Sequence, residues 1–287
     1  MAELQNQLID LLDIAKCAAR EAGRYLASCP VGSRLVEEHL IRDTKLLADR
    51  ESENIILDIL RSQSDYSILT EETGLVKQSS KSTSKDPFWV VDPLDGSVNF
   101  SRDIPMCCTS IGLWSGSDPI LGVVYDFNRG EIFSGVANSN ASLDGKHIKV
   151  SETSNIQDAI LCTGFPVNTD FSNRSLSDFV KHISDYKKVR LMGSAALSLA
   201  YVACGRVDSY IEEDIMGSTN RLYFSNIICQ YYYLVCKEPM FPNTSWTDTV
   251  EIRLLTQFPR FLLLYEPVCF ENFRWKVEIF ASPPKIL

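Results

Sequence analysis

The chain has 287 residues, 45% of them hydrophobic and 23% charged, ordinary values for a globular protein and enough length for one large domain or two smaller ones sharing a core. Its formal net charge of −9 argues against a nucleic-acid backbone binder, which needs a basic stripe to displace condensed counterions. No apolar run reaches the roughly 20 residues that span a bilayer, and Glu3, Asp10 and Asp13 precede any basic cluster, unlike a secretory signal or transit peptide. A cytoplasmic protein is expected, with no membrane or nucleic-acid polymer as partner.

Taken in chain order, Leu4, Leu8, Leu11, Leu12, Ala15, Ala19, Ala22 and Leu26 recur at helical spacing and predict an amphipathic helix over residues 4–26. A second helix is predicted after Asp49, with Ile55, Ile56, Ile59 and Leu60 on one face. Residues 88–91 then form a short apolar run ending in Asp92, which reads as a buried strand. The β-rich runs 110–114, 120–125 and 131–137 are separated by Gly, Asp, Asn and Pro, as in an antiparallel meander, and Asp144-Gly145 is a hairpin pair. Beyond Ser151 the pattern alternates. A strand at 159–163, a helix at 176–183, a strand at 189–192, an apolar helix at 194–204 capped by Gly205 and a strand at 207–211 are predicted. Helices and sheets in layers follow.

Nine cysteines occur without C-x-x-C or regular spacing, so reduced and mostly buried thiols are expected rather than a disulfide framework. His39, His147 and His182 are the only histidines and are scattered, which leaves imidazole catalysis little basis.

Composition changes abruptly at Gly217. No glycine follows it, the only alanine after Ala203 is Ala281, and 14 of the 29 aromatic residues fall in 217–287. Residues 1–216 carry 21 basic and 31 acidic side chains, a net of −10, whereas the remainder carries 7 and 6, a net of +1. A packed unit of about 70 residues with no glycine for its turns is unusual. The tail is expected to be an alternative or out-of-frame ending, or else a separate module.

Three segments put carboxylates where strands or helices end. They are Glu71-Glu72 after Ile68-Leu69-Thr70, the string Asp92-Pro93-Leu94-Asp95-Gly96-Ser97-Val98-Asn99-Phe100, and Glu212-Glu213-Asp214. Hard divalent cations take oxygen ligands, and Mg²⁺ leaves positions open to water and phosphate. Two aspartates three residues apart, with a proline-fixed turn between them, aim both carboxylates at one spot, and the Leu94 carbonyl can join them. Gly96 lets the backbone approach a ligand closely, and Ser97 starts a helix whose first N–H groups suit a phosphate oxygen. Taken singly, D-P-x-D-G is most often a surface turn and Glu-Glu a solvated face; the hydrophobic strand before the Asp pair and the length of the string raise the functional reading.

DPLDGSVNF resembles the D-P-[IL]-D-G-[ST]-x-N-F motif of the inositol monophosphatase family, which is shared with related bisphosphate nucleotidases. The Glu71-Glu72 pair about twenty residues upstream is similar to the family's second element. Asp43 and Asp49 resemble its D-x-V-T-x-x-D element, without the Val-Thr. The stretches 193–196 and 205–212 resemble its substrate-side helix and strand. The resemblance implies a layered α-β-α-β-α sandwich, commonly dimeric, that hydrolyses phosphomonoesters and is inhibited by Li⁺. It implies two or three Mg²⁺ ions, with Glu71, Asp92 and the Leu94 carbonyl at the first and Asp92 and Asp95 at the second. Glu71, Asp92 and Ser97 carry the catalytic roles in that reading, Glu71 and the Ser97 hydroxyl orienting the attacking water. Gly96 and Ser97 hold phosphate oxygens, and Gly193, Ser194, Ala195 and Glu212 touch the alcohol half of the substrate. Inositol monophosphate and a 3′,5′-bisphosphate nucleotide both remain open. Three parts are expected: an α+β part with the antiparallel sheet and metal site over 1–150, a second α/β part over 151–216, and the aromatic tail over 217–287, atypical, incomplete or poorly ordered.

The pattern breaks at one point. Where the family carries the aspartate of a W-D-x-x-x-G element, seven residues after the position of Glu212, this chain has Thr219 in Gly217-Ser218-Thr219-Asn220. A weakened second metal site and reduced activity are the expectation, or a form without turnover. No cysteine has an arginine six residues later, and no D-x-D-x-T or G-K-[ST] occurs, which removes thiolate phosphatases, aspartyl-phosphate chemistry and Walker-type kinases.

Overall fold

A computed structural model describes residues 2–30, 36–40, 43–78, 86–116, 118–165, 171–213 and 276–280, with residues 2–5, 36–40, 43–45, 178, 182, 212–213 and 276–280 as backbone alone. The N-terminal helix α1 (Ala2–Ser28) buries Leu11, Ala15, Ala18, Ala19, Ala22 and Leu26 along one stripe. Four alanines in that stripe allow the helix to lie close against its sheet. After the hairpin β1 (Val36–Leu40) and β2 (Asp43–Leu46) comes α2 (Leu47–Gln63), which buries Ile56, Leu57 and Leu60 on the same layer. It begins before Asp49, not after it. The Asp49 carboxylate accepts the Leu46 N–H at 2.7 Å, so the aspartate closes the first turn from inside and takes one of the orphan donors there.

The main sheet has eight strands. β3 (Ser67–Thr70), β4 (Gly74–Val76), β5 (Pro87–Asp95), β6 (Cys108–Ser115), β7 (Asp118–Asp126), β8 (Glu131–Val136), β9 (Ser142–Leu143) and β10 (Lys146–His147) lie in the order β10-β9-β8-β7-β6-β5-β3-β4. β3 and β5 run parallel; the other neighbours are antiparallel. Side chains alternate as the pleat requires. Trp89, Val91, Ile111, Leu113, Leu121, Val123 and Ile132 face α1 and α2, while Cys108, Val124 and Phe133 face the opposite layer. Trp89 is fully buried and its indole N–H donates to the Ser64 hydroxyl at 2.8 Å, so its one polar atom is satisfied.

The smaller sheet is β11 (Ile160–Thr163), β12 (Lys188–Leu191), β13 (Ser209–Glu213) and β14 (Lys276–Phe280), in the order β12-β11-β13-β14. The first three are parallel, and β14 pairs antiparallel along all of β13. Between the two sheets lies α5 (Ala195–Ala203), apolar all round and buried from Ala196 to Ala203, as a helix with sheets on both sides must be. α4 (Asn173–Ile183) covers the far face, where its Ile183 meets Leu161, Tyr186 and Ile211. The result is the expected α-β-α-β-α layering.

Three expectations need correction. The run 88–91 is part of a longer strand: β5 continues through Pro93 to Asp95, with the register to β6 slipping between Asp92 and Asp95. An internal proline is tolerated there because the ladder is already broken. The strand at 207–211 lies two residues later, at Ser209–Glu213, so Glu212 and Glu213 end the strand instead of following it. Of six cysteines described, all are free, but only Cys107, Cys108 and Cys162 are buried; Cys17 is exposed. Most of the 217–287 tail lies outside the described residues, and what is described, β14, belongs to the smaller sheet.

Candidate active site

β3 and β5 are adjacent parallel strands, so their carboxyl ends lie side by side, where α/β sheets carry their ligands. Thr70 and Val91 are register partners, and the Glu71 N–H donates to the Val91 carbonyl at 3.2 Å. Glu71, just past the end of β3, and Asp92, still within β5, therefore lie next to each other. The slip that follows lets Asp95 project inward from the end of β5. Gly96, at φ 94°, turns the chain into the short helix α3 (Ser97–Ser101). A Cβ at Gly96 would lie 2.8 Å from the Met106 carbonyl, so a side chain is excluded by both conformation and space.

Asp49, which with Asp43 resembles the family's D-x-V-T-x-x-D element, also belongs to this cluster. The Ser97 hydroxyl lies 3.2 Å from Asp49 Oδ1 and 3.0 Å from the Leu94 carbonyl oxygen. Asp49 and Asp92 are 3% and 6% exposed. Burial, then repulsion from Glu72 and Glu71, pushes the Asp49 carboxyl up to about 8, against the pull of the Leu46 N–H and Ser97. Asp92 is driven well above the carboxylate range by burial first and then by Glu71, Asp95 and Asp49. Buried Asp49 and Asp92 thus share one neighbourhood with half-buried Glu71 and Asp95, and like charges gathered this way resist ionising together.

Asp95 has a second attachment. Its Oδ2 accepts the Ser194 hydroxyl at 2.6 Å and the Ala196 N–H at 2.7 Å, with the Cys108 thiol at 3.9 Å. Burial still raises its carboxyl, and the donors at the start of α5 oppose that shift. Ser194 is the N-cap of α5 and also accepts the Leu197 N–H at 3.2 Å. One aspartate on the large sheet therefore ties down the first turn of the helix between the sheets. Asn99 makes a parallel tie, donating to the Met106 and Met192 carbonyls at 2.8 Å each. Gly193, at φ 72°, passes so close that a Cβ would meet the Asn99 amide at 2.8 Å.

The structure thus brings Glu71, Asp92, Leu94, Asp95, Gly96 and Ser97 together with Asp49, and it brings Gly193, Ser194 and Ala195 beside Asp95. Glu212 is described only as backbone in β13. Thr219 lies outside the described residues. Among the described residues no group of three or more Asp, Glu, His or Cys side chains is arranged to hold a metal ion; the carboxylates are neighbours and do not converge on one point. An all-oxygen donor set of carboxylates and a carbonyl fits a hard divalent cation, and a buried group of like charges fits it better still, since a cation removes the repulsion. Asp49 was legible as the N3 residue of a helix, the place where a carboxylate reaches back to the preceding N–H. Asn99 stands in the DPLDGSVNF string and the resemblance names Ser194 as a substrate-side residue, but their ties to Met192 and Asp95 span 93 and 99 residues and have no local signal.

Fold and site define a layered α/β protein with a buried carboxylate cluster at the carboxyl ends of two parallel strands, the setting of a phosphoric monoester hydrolase. The chain belongs to the inositol monophosphatase family, whose sequence profile matches residues 10–220. It is similar to inositol-1-monophosphatase of Synechocystis, 40% identical over 210 residues and 71% of each chain, and to Nus factor SuhB of Escherichia coli, 34% identical over 206 residues, 70% of this chain and 76% of that one. Among solved structures, an inositol monophosphatase from Anabaena is 34% identical with a TM-score of 0.62, covering 79% of this chain and 82% of its own. The family is one of metal-dependent phosphatases. No helix among the described residues is long and apolar enough to cross a membrane.

Proposed function

We propose that this protein hydrolyses a small phosphomonoester, of the inositol monophosphate kind, with two or three Mg²⁺ ions held by Glu71, Asp92, the Leu94 carbonyl and Asp95, and with Asp49 as an added acidic member of that site. The observation that carries the reading is the meeting of groups at the end of β5, where Ser97 joins Asp49 to the Leu94 carbonyl beside the buried Asp92. Without a cation the cluster opposes its own ionisation; with one, the same residues become a ligand set. Bound there, divalent cations supply Lewis acidity to the phosphate and positive charge against the leaving alkoxide.

The chain's own groups have distinct tasks. The Ser97 hydroxyl directs its hydrogen toward Asp49 or the Leu94 carbonyl, which leaves oxygen lone pairs to accept a hydrogen bond from water and so orient it. Glu71, beside it, holds that water in line with phosphorus. The Gly96 and Ser97 amides face phosphate oxygens, and Gly193, Ser194, Ala195 and Glu212 bound the space for the alcohol. Water adds to phosphorus, the ester P–O bond breaks, and the alkoxide leaves with a proton as the free alcohol.

A second reading, a catalytically impaired form, is favoured by one sequence observation: Gly217-Ser218-Thr219-Asn220 stands where the family carries Trp-Asp. The second cation then lacks an anionic ligand, and turnover is low. Organisation into parts 1–150, 151–216 and 217–287, a homodimer and a cytoplasmic location belong to the same proposal. Phosphate release in Mg²⁺, with and without Li⁺, over a panel of inositol monophosphates and adenosine 3′,5′-bisphosphates tests it. Slow, Li⁺-sensitive release from one class is expected. Release that survives EDTA would refute the metal-dependent reading, and fast turnover would refute impairment.

A further inference from the structure

Glu53 lies one helical turn beyond Asp49 on α2, and the two side chains leave the helix on the same face. It is 0% exposed. Its two carboxylate oxygens are both used by one residue twenty positions away: Oε1 accepts the Thr73 N–H at 3.1 Å, and Oε2 accepts the Thr73 hydroxyl at 2.6 Å. Thr73 closes the turn that carries Glu71 and Glu72. The same N–H also reaches the Thr70 hydroxyl oxygen at 3.1 Å, and that hydroxyl lies 3.4 Å from the Gly74 carbonyl. On its other side the turn is fixed to β5 by the bond from the Glu71 N–H to the Val91 carbonyl.

We propose that Glu53 is a positioning residue for the hydrolytic site, holding the Glu71-Glu72 turn at a set distance from the Asp92–Ser97 turn, with α2 as the ruler between them. Asp49 meets the second turn through Ser97, and Glu53 meets the first through Thr73, four residues and one turn of helix apart. A buried carboxylate is a costly way to close a β-turn if closure were its only task. Its return is direction: two charge-assisted bonds fix Thr73 in place and in orientation, and Glu71 is two residues away. A change at Glu53 therefore shifts a proposed ligand without touching any ligand.

The inference rests on the metal-site reading above, and two readouts separate their failures. In metal-free protein, hydrogen–deuterium exchange of the segment 69–75 reports the turn itself. Mn²⁺ binding followed by electron paramagnetic resonance reports the site. Thr73→Val keeps shape and backbone N–H while removing the hydroxyl, Thr73→Ser keeps the hydroxyl, and Glu53→Gln keeps shape while removing the charge. Loss of a supporting contact of this kind weakens metal affinity by about 10–100-fold. Thr73→Val and Glu53→Gln are expected to bind Mn²⁺ about tenfold more weakly and to exchange faster over 69–75, whereas Thr73→Ser stays within about twofold of the wild type. Wild-type Mn²⁺ affinity in both Thr73→Val and Glu53→Gln overturns the proposal. Should the wild type itself bind no Mn²⁺, the metal-site reading falls, and unchanged exchange over 69–75 in Thr73→Val then removes the positioning role as well.

Discussion

Two groups of carboxylates in this molecule have opposite fates. On β8, Glu131 receives both guanidinium nitrogens of Arg206, at 2.5 and 2.7 Å, and Arg129 at 3.0 and 3.2 Å. Arg206 also stacks on Tyr201, with 4.9 Å to the ring centroid. Those partners, Arg206 first, lower the Glu131 carboxyl to about 2. At the carboxyl ends of β3 and β5, burial and neighbouring carboxylates instead raise Asp92 and Asp49. The first group is finished: its carboxylate has guanidinium partners and ties the chain after α5 to β8 of the main sheet. The second is unfinished, and in a folded protein an arrangement that opposes folding persists where function needs it.

Replacing Asp92 by Asn should give the largest change. Phosphate release falls by more than about 100-fold, beyond the range for a residue that merely supports a ligand, while the metal-free protein unfolds at an equal or higher temperature because a buried carboxyl that resists ionising is gone. Coupled assays of release and thermal melts in EDTA check both halves. At the finished group the signs reverse. Arg206→Ala leaves Glu131 with Arg129 alone and should cost about 1–3 kcal/mol in urea unfolding, with divalent-ion affinity unchanged by calorimetry. A variant of Arg206 that lost metal binding but kept its stability would break the contrast. Ser194→Ala removes one short bond to Asp95, and about 1 kcal/mol of stability together with a few-fold weaker Mg²⁺ binding is the expected, smaller effect.

The fold was readable where the pattern was periodic. The alanine stripe of α1, the meander of β6, β7 and β8, and the all-apolar α5 each follow from spacing alone, and Asp144-Gly145 joins β9 to β10 with φ positive at both residues. Strand ends were not readable, because the slip at Asp92–Asp95 depends on the pairing with β6, and the start of β13 depends on Asp208. That side chain accepts the Ser151 hydroxyl and the Ile160 N–H, both at 2.6 Å, and so holds the chain just before the strand begins. At the site, Glu71, Asp92 and Asp95 announced themselves through an acidic string after a hydrophobic strand. Glu53 did not, since an acid inside a helix is commonplace until a partner 20 residues away is seen, and although the resemblance names Ser194, its bond to Asp95 across 99 residues was equally invisible.

The most direct test is thermal unfolding with and without Mg²⁺ at about pH 5.5 and about pH 8. Asp49 holds its proton to about 8 when folded, and Asp92 is raised as well, whereas an unfolded aspartate releases its proton near 4. Between those values the folded state binds more protons, so the metal-free protein must lose stability as pH rises. Mg²⁺ replaces those protons, so its stabilisation should be small at the lower pH and, at about 100 times its dissociation constant, approach about 2.7 kcal/mol at the higher. A protein whose metal-free stability does not fall with pH, and which Mg²⁺ leaves unmoved at both values, would contradict the reading of this cluster as a cation site.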